Sequence, residues 1–166
     1  REQGNPQTSD ITASSQFGVN GSVEIKNKKV AVVGSGMTGL ETSELLCENG
    51  NDVTIVEMAS EIAPGTWMQH VDDCMPRLLE HNTKFITGHK LVEIDDTGIV
   101  AVDIENENIK IIRADYVILS LGVRSENSLA TEARSVCKNV LVIGDAGKTG
   151  RIADATAQGY EIGKRL

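Results

Sequence analysis

Three glycines at fixed spacing are the residues of this sequence best suited to chemistry. The motif reads Gly34-Ser35-Gly36-Met37-Thr38-Gly39, a G-x-G-x-x-G. Glycine at the first position permits a tight turn, and at the second it lets the backbone approach a pyrophosphate. Glycine at the third position lets a helix pack closely on a strand, with its N-terminus aimed at the phosphates. The motif therefore predicts a dinucleotide site over residues 34–39, against the alternative of a tight turn without a ligand.

A carboxylate stands where such a site needs one. Glu57 follows Gly39 by 18 residues, at the end of an apolar run. A carboxylate there accepts hydrogen bonds from the adenosine ribose and repels a 2′-phosphate. Met58 follows it, where an arginine would favour the 2′-phosphate. Glu57 and Met58 thus predict NADH as the nucleotide, with NADPH as the alternative.

The elements that must position these residues are readable from the hydrophobic pattern. Residues 29–33 are a short apolar run typical of a buried parallel strand. A helix is predicted over 37–49, with Gly36, Gly39, Leu40, Ser43, Leu46 and Cys47 on one face. Asn49-Gly50 would cap it, and residues 52–57 read as the second strand. This is the start of a βαβ unit.

The remaining pattern extends the same architecture. A helix containing Val71, Met75, Leu78 and Leu79 on one face should start late or kink at Pro76. Strands are predicted at 85–86, 116–121 and 140–143, an antiparallel meander over 91–112, and a last helix over 151–166. The fold class is α/β, a Rossmann-like three-layer domain with a central parallel sheet and an antiparallel β-meander.

Domain organisation and composition bound the function further. Residues 1–28 are a predicted connecting arm with a short helix near 11–17, and the chain is expected to be an excised piece of a longer one. The net charge of −8 and the 3% aromatic content argue against nucleic acid, and no apolar run reaches a membrane-spanning length. Three separated cysteines without C-x-x-C favour a reducing cytoplasm and no metal site.

One stretch of the sequence, with two shorter motifs after it, resembles a known family. The stretch 29–46, KVAVVGSGMTGLETSELL, resembles the NAD(P)H-binding domain of the pyridine nucleotide–disulfide oxidoreductase superfamily. The nearest resemblance is to the C-terminal part of NADH:flavin oxidoreductases of the 2,4-dienoyl-CoA reductase and NADH oxidase type. It covers roughly residues 25–166, and YVILSLGVR at 116–124 and VLVIGDA at 140–146 support it.

The resemblance implies roles for further residues. Residues 29–123 would be the NAD(H)-binding domain, which the chain leaves through the turn at Gly122. Residues 124–166 would be the returning segment of an incomplete FAD-binding domain, with Asp145 on the ribityl chain of FAD. Glu41 would lie beside the nicotinamide amide.

The resemblance also implies what the whole enzyme does. It would pass a hydride from NADH to FAD, and electrons through an iron–sulfur cluster to FMN. Those last two cofactors are expected only in the full-length enzyme, and no catalytic residue is expected in this fragment. The remainder of that flavoenzyme would be the partner, and the isolated chain is expected to be inactive.

Two other interpretations remain open from the sequence. Tyr160 and Lys164 form a Y-x-x-x-K, which would suit a short-chain dehydrogenase with the tyrosine as acid and the lysine lowering its pKa. A non-enzymatic nucleotide-sensing regulatory domain would also pair G-x-G-x-x-G with an acidic end of the second strand.

Overall fold

The computed structural model describes residues 11–13 and 24–165. The chain divides into two compact units, Arg1–Leu121 and Gly122–Leu166. The strands and helices of the first unit are β1 (Ile11–Ala13), β2 (Lys29–Val33), α1 (Met37–Glu48), β3 (Asp52–Val56), α2 (Met68–Glu80), β4 (Lys84–Ile86), β5 (His89–Asp95), β6 (Gly98–Asp103), β7 (Ile109–Arg113) and β8 (Tyr116–Leu119).

A parallel sheet is the centre of the first unit. Its strand order is β1-β8-β2-β3-β4, and all four pairings are parallel. β2 is the middle strand, with four of its five residues buried. A parallel strand covered on both faces needs such a continuous apolar run. The buried run after Lys29 therefore accounts for the place of β2 in the sheet.

Alternation along β2 builds two cores, one on each face of the sheet. Val30 and Val32 belong to one cluster with Leu40, Leu46 and further residues of α1 and α2. Ala31 and Val33 of β2 belong to the other cluster, together with Ile99, Ala101 and Ile112 of the meander. Successive side chains of a strand point to opposite faces. The first unit thus has three layers, which confirms the predicted fold class.

The third layer is the antiparallel meander β5-β6-β7. Gly98 opens β6 with φ of 141°, and a Cβ there would lie 2.2 Å from the Ile112 carbonyl oxygen. Only glycine fits such a backbone conformation beside a neighbouring strand. The predicted meander is confirmed, extended to His89 at one end and Arg113 at the other.

The turn from β2 into α1 is packed against the end of β8. Gly34 has φ of 101°, and a Cβ on it would lie 2.1 Å from the Ser120 carbonyl oxygen. A Cβ on Gly39, which is buried in α1, would lie 2.1 Å from the Gly34 carbonyl oxygen. No side chain fits at either distance. These two glycines are therefore explained by the close approach of strand, turn and helix.

Two local predictions in the first unit are wrong. The helix expected near 11–17 is absent at Ile11–Ala13, which pairs with Val117–Leu119 of β8, while 14–17 lie outside the described residues. The open edge of β8 offers those three residues a ladder of hydrogen bonds, which outweighs a weak local preference. Of the two alternatives for the second helix, the late start is wrong, since α2 runs from Met68 through Pro76 to Glu80.

Packing explains why α2 continues. Cys74 and Leu78, on either side of Pro76, are 1% and 0% exposed and belong to the core beneath the helix. Proline removes one backbone hydrogen bond, and tertiary burial of an apolar face stabilises a helix more than local propensity does. Leu79, expected on the same face, is instead 58% exposed.

The second unit contains α3 (Ser128–Val136), a 3₁₀ turn (Gly144–Ala146) and α4 (Ile152–Gly163). None of its described residues is buried. The strand predicted at 140–143 does not form. Leu141 and Ile143 in this segment are apolar, but their side chains are exposed. A strand needs a neighbour for its hydrogen bonds, and within the described residues this segment pairs with no strand.

We expect Gly39→Ala to destabilise the first unit. The added methyl group would have to displace the Gly34 carbonyl, and overpacking of this kind costs about 1 to 3 kcal/mol. Gly163→Ala in α4 is the matched control, because a Cβ there meets no atom within 4 Å. Urea unfolding of both variants measures the difference. An unchanged midpoint for Gly39→Ala would contradict the packing role given to this glycine.

Candidate functional site

Gly36 differs from the other two glycines of the motif. It lies at the N-cap of α1 with φ of −60° and ψ of 178°, a backbone that any residue adopts. A Cβ built on it meets no atom of the described residues within 4 Å. Neither backbone strain nor packing inside the protein therefore explains a glycine here. The space in front of Gly36 is open, as it must be if a ligand approaches the backbone closely.

Gly36 is the N-cap of α1, so the first turn of the helix begins directly beside it. The Gly36 carbonyl accepts the N–H of Leu40 at 3.0 Å, which leaves the amides before Leu40 as the first turn of the helix. Met37 and Thr38 in this turn are exposed. First-turn amides and the helix dipole favour an anion. The turn can thus hold a phosphate group beside Gly36.

Glu57 lies directly after β3, and its carboxylate is bound by the glycine loop. The main-chain N–H and the hydroxyl of Ser35 donate to Oε2 at 2.8 and 2.7 Å. The N–H of Ala59 donates to Oε1 at 2.9 Å. Glu57 is only 8% exposed. The carboxylate is therefore oriented by the protein itself, on both of its oxygens.

These hydrogen bonds also set the charge of Glu57. Burial by itself would raise the pKa of Glu57, but hydrogen bonds from Ala59, Ser35 and Met58 outweigh it, so the pKa lies below its usual value. Hydrogen bonds to the charged form of a carboxylate favour that form. Glu57 is therefore ionised at neutral pH and presents a negative charge at the end of β3.

Ser35 connects the glycine loop to the loop that follows β3. Its hydroxyl donates to Glu57 and accepts the N–H of Ala63 at 2.8 Å. Ser35 is fully buried, and Ala63 has φ of 57°. A single hydroxyl thus joins the two loops. The sequence placed Ser35 in the motif but gave no sign of these contacts, because their partners lie 22 and 28 positions further along the chain.

The structure brings together only part of the residues predicted for the site. The motif residues 34–39 lie at the end of β2, and Glu57 and Met58 lie at the end of the adjacent strand β3. Met58 is 59% exposed. Because β2 and β3 are parallel, their carboxyl ends meet at one edge of the sheet, where ligands of open α/β sheets bind.

The other predicted residues have different surroundings. Glu41 is exposed on α1, with Oε1 3.7 Å from Nε2 of His70 on α2. Gly122 and Asp145 belong to the second unit. Gly122 has φ of 80°, and Asp145 is exposed and accepts the N–H of Gly150 at 3.1 Å. The cofactor roles of these residues stay predictions.

Tyr160 and Lys164 do not form an acid–base pair at a closed site. Tyr160 is 67% exposed, and Lys164 Nζ lies 5.2 Å from the centre of its ring. Lys164 Nζ also lies 3.5 Å from Glu161. Both contacts are those of an exposed helix surface.

The fold and the glycine loop define the class of this protein. A parallel sheet with a G-x-G-x-x-G between its middle strand and the following helix is the architecture of a dinucleotide-binding domain. The chain belongs to the pyridine nucleotide-disulphide oxidoreductase family, whose sequence model matches residues 6–159. This confirms the resemblance seen in the sequence. It also makes the short-chain dehydrogenase interpretation of Tyr160 and Lys164 wrong.

Curated relatives support the same family. The chain is 36% identical over 140 residues to an NADH oxidase of Thermoanaerobacter brockii, covering 82% of this chain and 21% of that protein. It is 33% identical over 149 residues to a cinnamate reductase of Clostridium sporogenes, covering 87% of this chain and 22% of that protein. The chain thus spans about a fifth of the length of these relatives.

A solved structure shows the same fold. Histamine dehydrogenase from Rhizobium sp. 4-9 superposes with a TM-score of 0.75 at 18% identity, covering 94% of this chain and 26% of that one.

None of the helices in the described part of the chain combines the length and the apolar character needed to cross a membrane.

We expect Glu57→Gln to lower stability in a pH-dependent way. The amide nitrogen of the glutamine would face the N–H of either Ser35 or Ala59, so that one donor would lose its acceptor. The free energy of unfolding should fall by about 1.5 to 3 kcal/mol at neutral pH. Because the pKa of Glu57 is lowered on folding, its contribution exists above about pH 4.3 and is lost as pH falls below that value.

The measurement is the free energy of unfolding of wild type and variant from pH 7 down to pH 3.5. The gap between the two should narrow as the pH falls. Glu61→Gln, which changes an exposed carboxylate in the same loop, is the matched control and should have little effect. A gap that stays constant with pH would show that the ionised form of Glu57 is not what the loop stabilises.

Proposed function

We propose that the first unit binds NADH at the glycine loop. The observation that carries this proposal is the glycine at position 36. Unlike Gly34 and Gly39, it has backbone angles that any residue can adopt, and no neighbouring atom would clash with a side chain there. Gly34 and Gly39 are explained by packing, so the loop would fold with another residue at Gly36. A glycine there leaves room for a pyrophosphate against the first turn of α1.

The charges around the site support NADH over NADPH. Glu57 is held in its ionised form next to the glycine loop. The loop 57–66 contains two glutamates and neither lysine nor arginine. A ribose with free hydroxyls can donate to a carboxylate, whereas a 2′-phosphate would meet a like charge without a cation to offset it. We expect the exposed side chain of Met58 to border the ribose.

We propose that the second unit is the returning segment of an FAD-binding domain. None of its described residues is buried. Leu141 and Ile143 are 58% and 40% exposed in the segment whose sequence predicts a strand. Such a segment would form a strand when another part of the parent protein supplies its neighbour. Asp145, at the end of the segment, would then accept from the ribityl chain of FAD, and Gly122 would form the turn between the domains.

In the parent protein we assign this chain to the end that takes up reducing equivalents. NADH, when bound, supplies a hydride for FAD, and Glu41 would lie beside the nicotinamide. By resemblance, FMN and an iron–sulfur cluster would belong to other parts of a 2,4-dienoyl-CoA reductase or NADH oxidase type of enzyme, and the cysteine pattern supports a cytoplasmic location. The relatives named above are an NADH oxidase and a cinnamate reductase.

We expect Gly36→Ala to abolish most NADH binding while the fold is kept. The added Cβ meets no protein atom, but it occupies the space proposed for the pyrophosphate. Affinity should fall about tenfold or more, equivalent to about 1.4 kcal/mol. Calorimetric titration of wild type, Gly36→Ala and the control Gly163→Ala with NADH and with NADPH is the measurement, with urea unfolding as the check on folding.

Wild type and Gly163→Ala should bind NADH more tightly than NADPH. Retained NADH binding by Gly36→Ala would remove the glycine loop from the site. Equal or reversed affinities for the two nucleotides would remove Glu57 from nucleotide selection while leaving the loop assignment intact.

We expect the isolated chain to hold no FAD and to oxidise no NADH with an artificial acceptor. Asp145 offers a charge-assisted hydrogen bond of about 1.5 to 3 kcal/mol, whereas micromolar binding requires about 8 kcal/mol. The protein should purify colourless and stay so after incubation with FAD and desalting, as measured by its absorbance spectrum. A yellow protein with about one flavin per chain would show that the loop at Gly34 serves FAD.

A further inference from the structure

We propose that Ser35 is a positioning residue that acts through Glu57, aiming its carboxylate at the nucleotide and tying the loop after β3 to the glycine loop. Ser35 is fully buried, so its hydroxyl cannot itself reach a ligand. The inference rests on the proposed binding of NADH and names the residue that prepares Glu57 for it.

The first step is the orientation of the carboxylate. A carboxylate offers about four acceptor positions, and Ser35 fills two of them on Oε2 while Ala59 fills a third on Oε1. A group bound on both oxygens has one orientation before a ligand arrives. Loss of the Ser35 hydroxyl leaves the main-chain donors of Ser35 and Ala59 in place and frees one position on Oε2.

The second step is the connection between loops. The Ser35 hydroxyl uses its single hydrogen for Glu57 and its lone pair for the Ala63 N–H. Ala63 is buried with φ of 57°, a conformation that alanine rarely adopts. The hydrogen bond from Ser35 therefore helps hold this part of the 57–66 loop in place. Removal of the hydroxyl would leave the buried Ala63 N–H without that acceptor.

The third step is the charge. The pKa of Glu57 reflects a balance between burial, which raises it, and hydrogen bonds, which lower it. Glu61 is the other titratable residue of the 57–66 loop. His89 on β5 donates its main-chain N–H to the Glu57 carbonyl at 3.0 Å. His89 Nδ1 lies 2.5 Å from the Thr87 carbonyl. Without the Ser35 hydroxyl, burial acts against fewer donors, so the pKa of Glu57 rises.

The test follows the affinity for ADP-ribose with pH, in the full chain. ADP-ribose carries the pyrophosphate and the adenosine ribose and tolerates acid, which NADH does not. The proteins are wild type, Ser35→Ala, Ser35→Cys, Glu57→Gln and the double variant Ser35→Ala/Glu57→Gln. Ser43→Ala is the matched control, since its fully buried hydroxyl donates to the Gly39 carbonyl at 2.7 Å in α1 and does not bind Glu57.

We expect Ser35→Ala to bind ADP-ribose about three- to tenfold more weakly at pH 7, the size of a lost hydrogen bond. Its loss of affinity on acidification should begin at a higher pH than in wild type or Ser43→Ala. Ser35→Cys replaces the hydroxyl by a weaker donor of similar shape, so its affinity and its pH profile should lie between those of Ser35→Ala and wild type. In the Glu57→Gln background, Ser35→Ala should no longer change the pH profile.

The outcomes separate this inference from the function on which it rests. Wild-type protein that binds neither ADP-ribose nor NADH would overturn the proposed function. Binding by wild type with the same pH profile in Ser35→Ala, Ser35→Cys and Ser43→Ala would overturn only the role of Ser35. A pH shift that persists in the Glu57→Gln background would show that Ser35 acts through another group.

Discussion

The close approach of three backbone segments around Gly34 is the constraint on which the site depends. The Gly34 N–H donates to the Val56 carbonyl at 2.8 Å, and the Ser120 N–H donates to the Val33 carbonyl at 2.7 Å. The turn is therefore held between β3 and β8 as it leaves β2. Gly39 then brings α1 against the same turn. Together these contacts place the open Gly36 and the start of α1 at the carboxyl edge of the sheet.

The second constraint is electrostatic. A buried carboxylate is unfavourable unless hydrogen bonds compensate it. Glu57 meets this condition through donors from its own loop and from Ser35, so its charge is maintained where a ribose would bind. The same contacts would make the proposed nucleotide site preformed, because the carboxylate needs no reorientation of the backbone to present its charge. Preformed polar groups of this kind reduce the entropy lost on binding.

The two units differ in what they complete within this chain. The first buries two clusters on either side of a parallel sheet, whereas no described residue of the second is buried. The relatives are about five times longer than the matched segment. A segment whose apolar residues are exposed, and whose predicted strand at 140–143 pairs with no described strand, is what one half of a divided domain would look like. This supports its assignment to a larger flavoenzyme.

The sequence by itself determined the βαβ unit, the face of α1 on the core and the positions of Gly34, Gly36, Gly39 and Glu57, because these depend on short-range periodicity and spacing. Tertiary structure decided the rest. β1 exists because β8 has an open edge, α2 passes through Pro76 because its apolar face is buried, and residues 140–143 form no strand because they pair with no described segment. The partners of the Ser35 hydroxyl, 22 and 28 positions away, likewise depend on how the loops meet. Each of these outcomes depends on the presence or absence of contacts between distant parts of the chain, which no local pattern encodes.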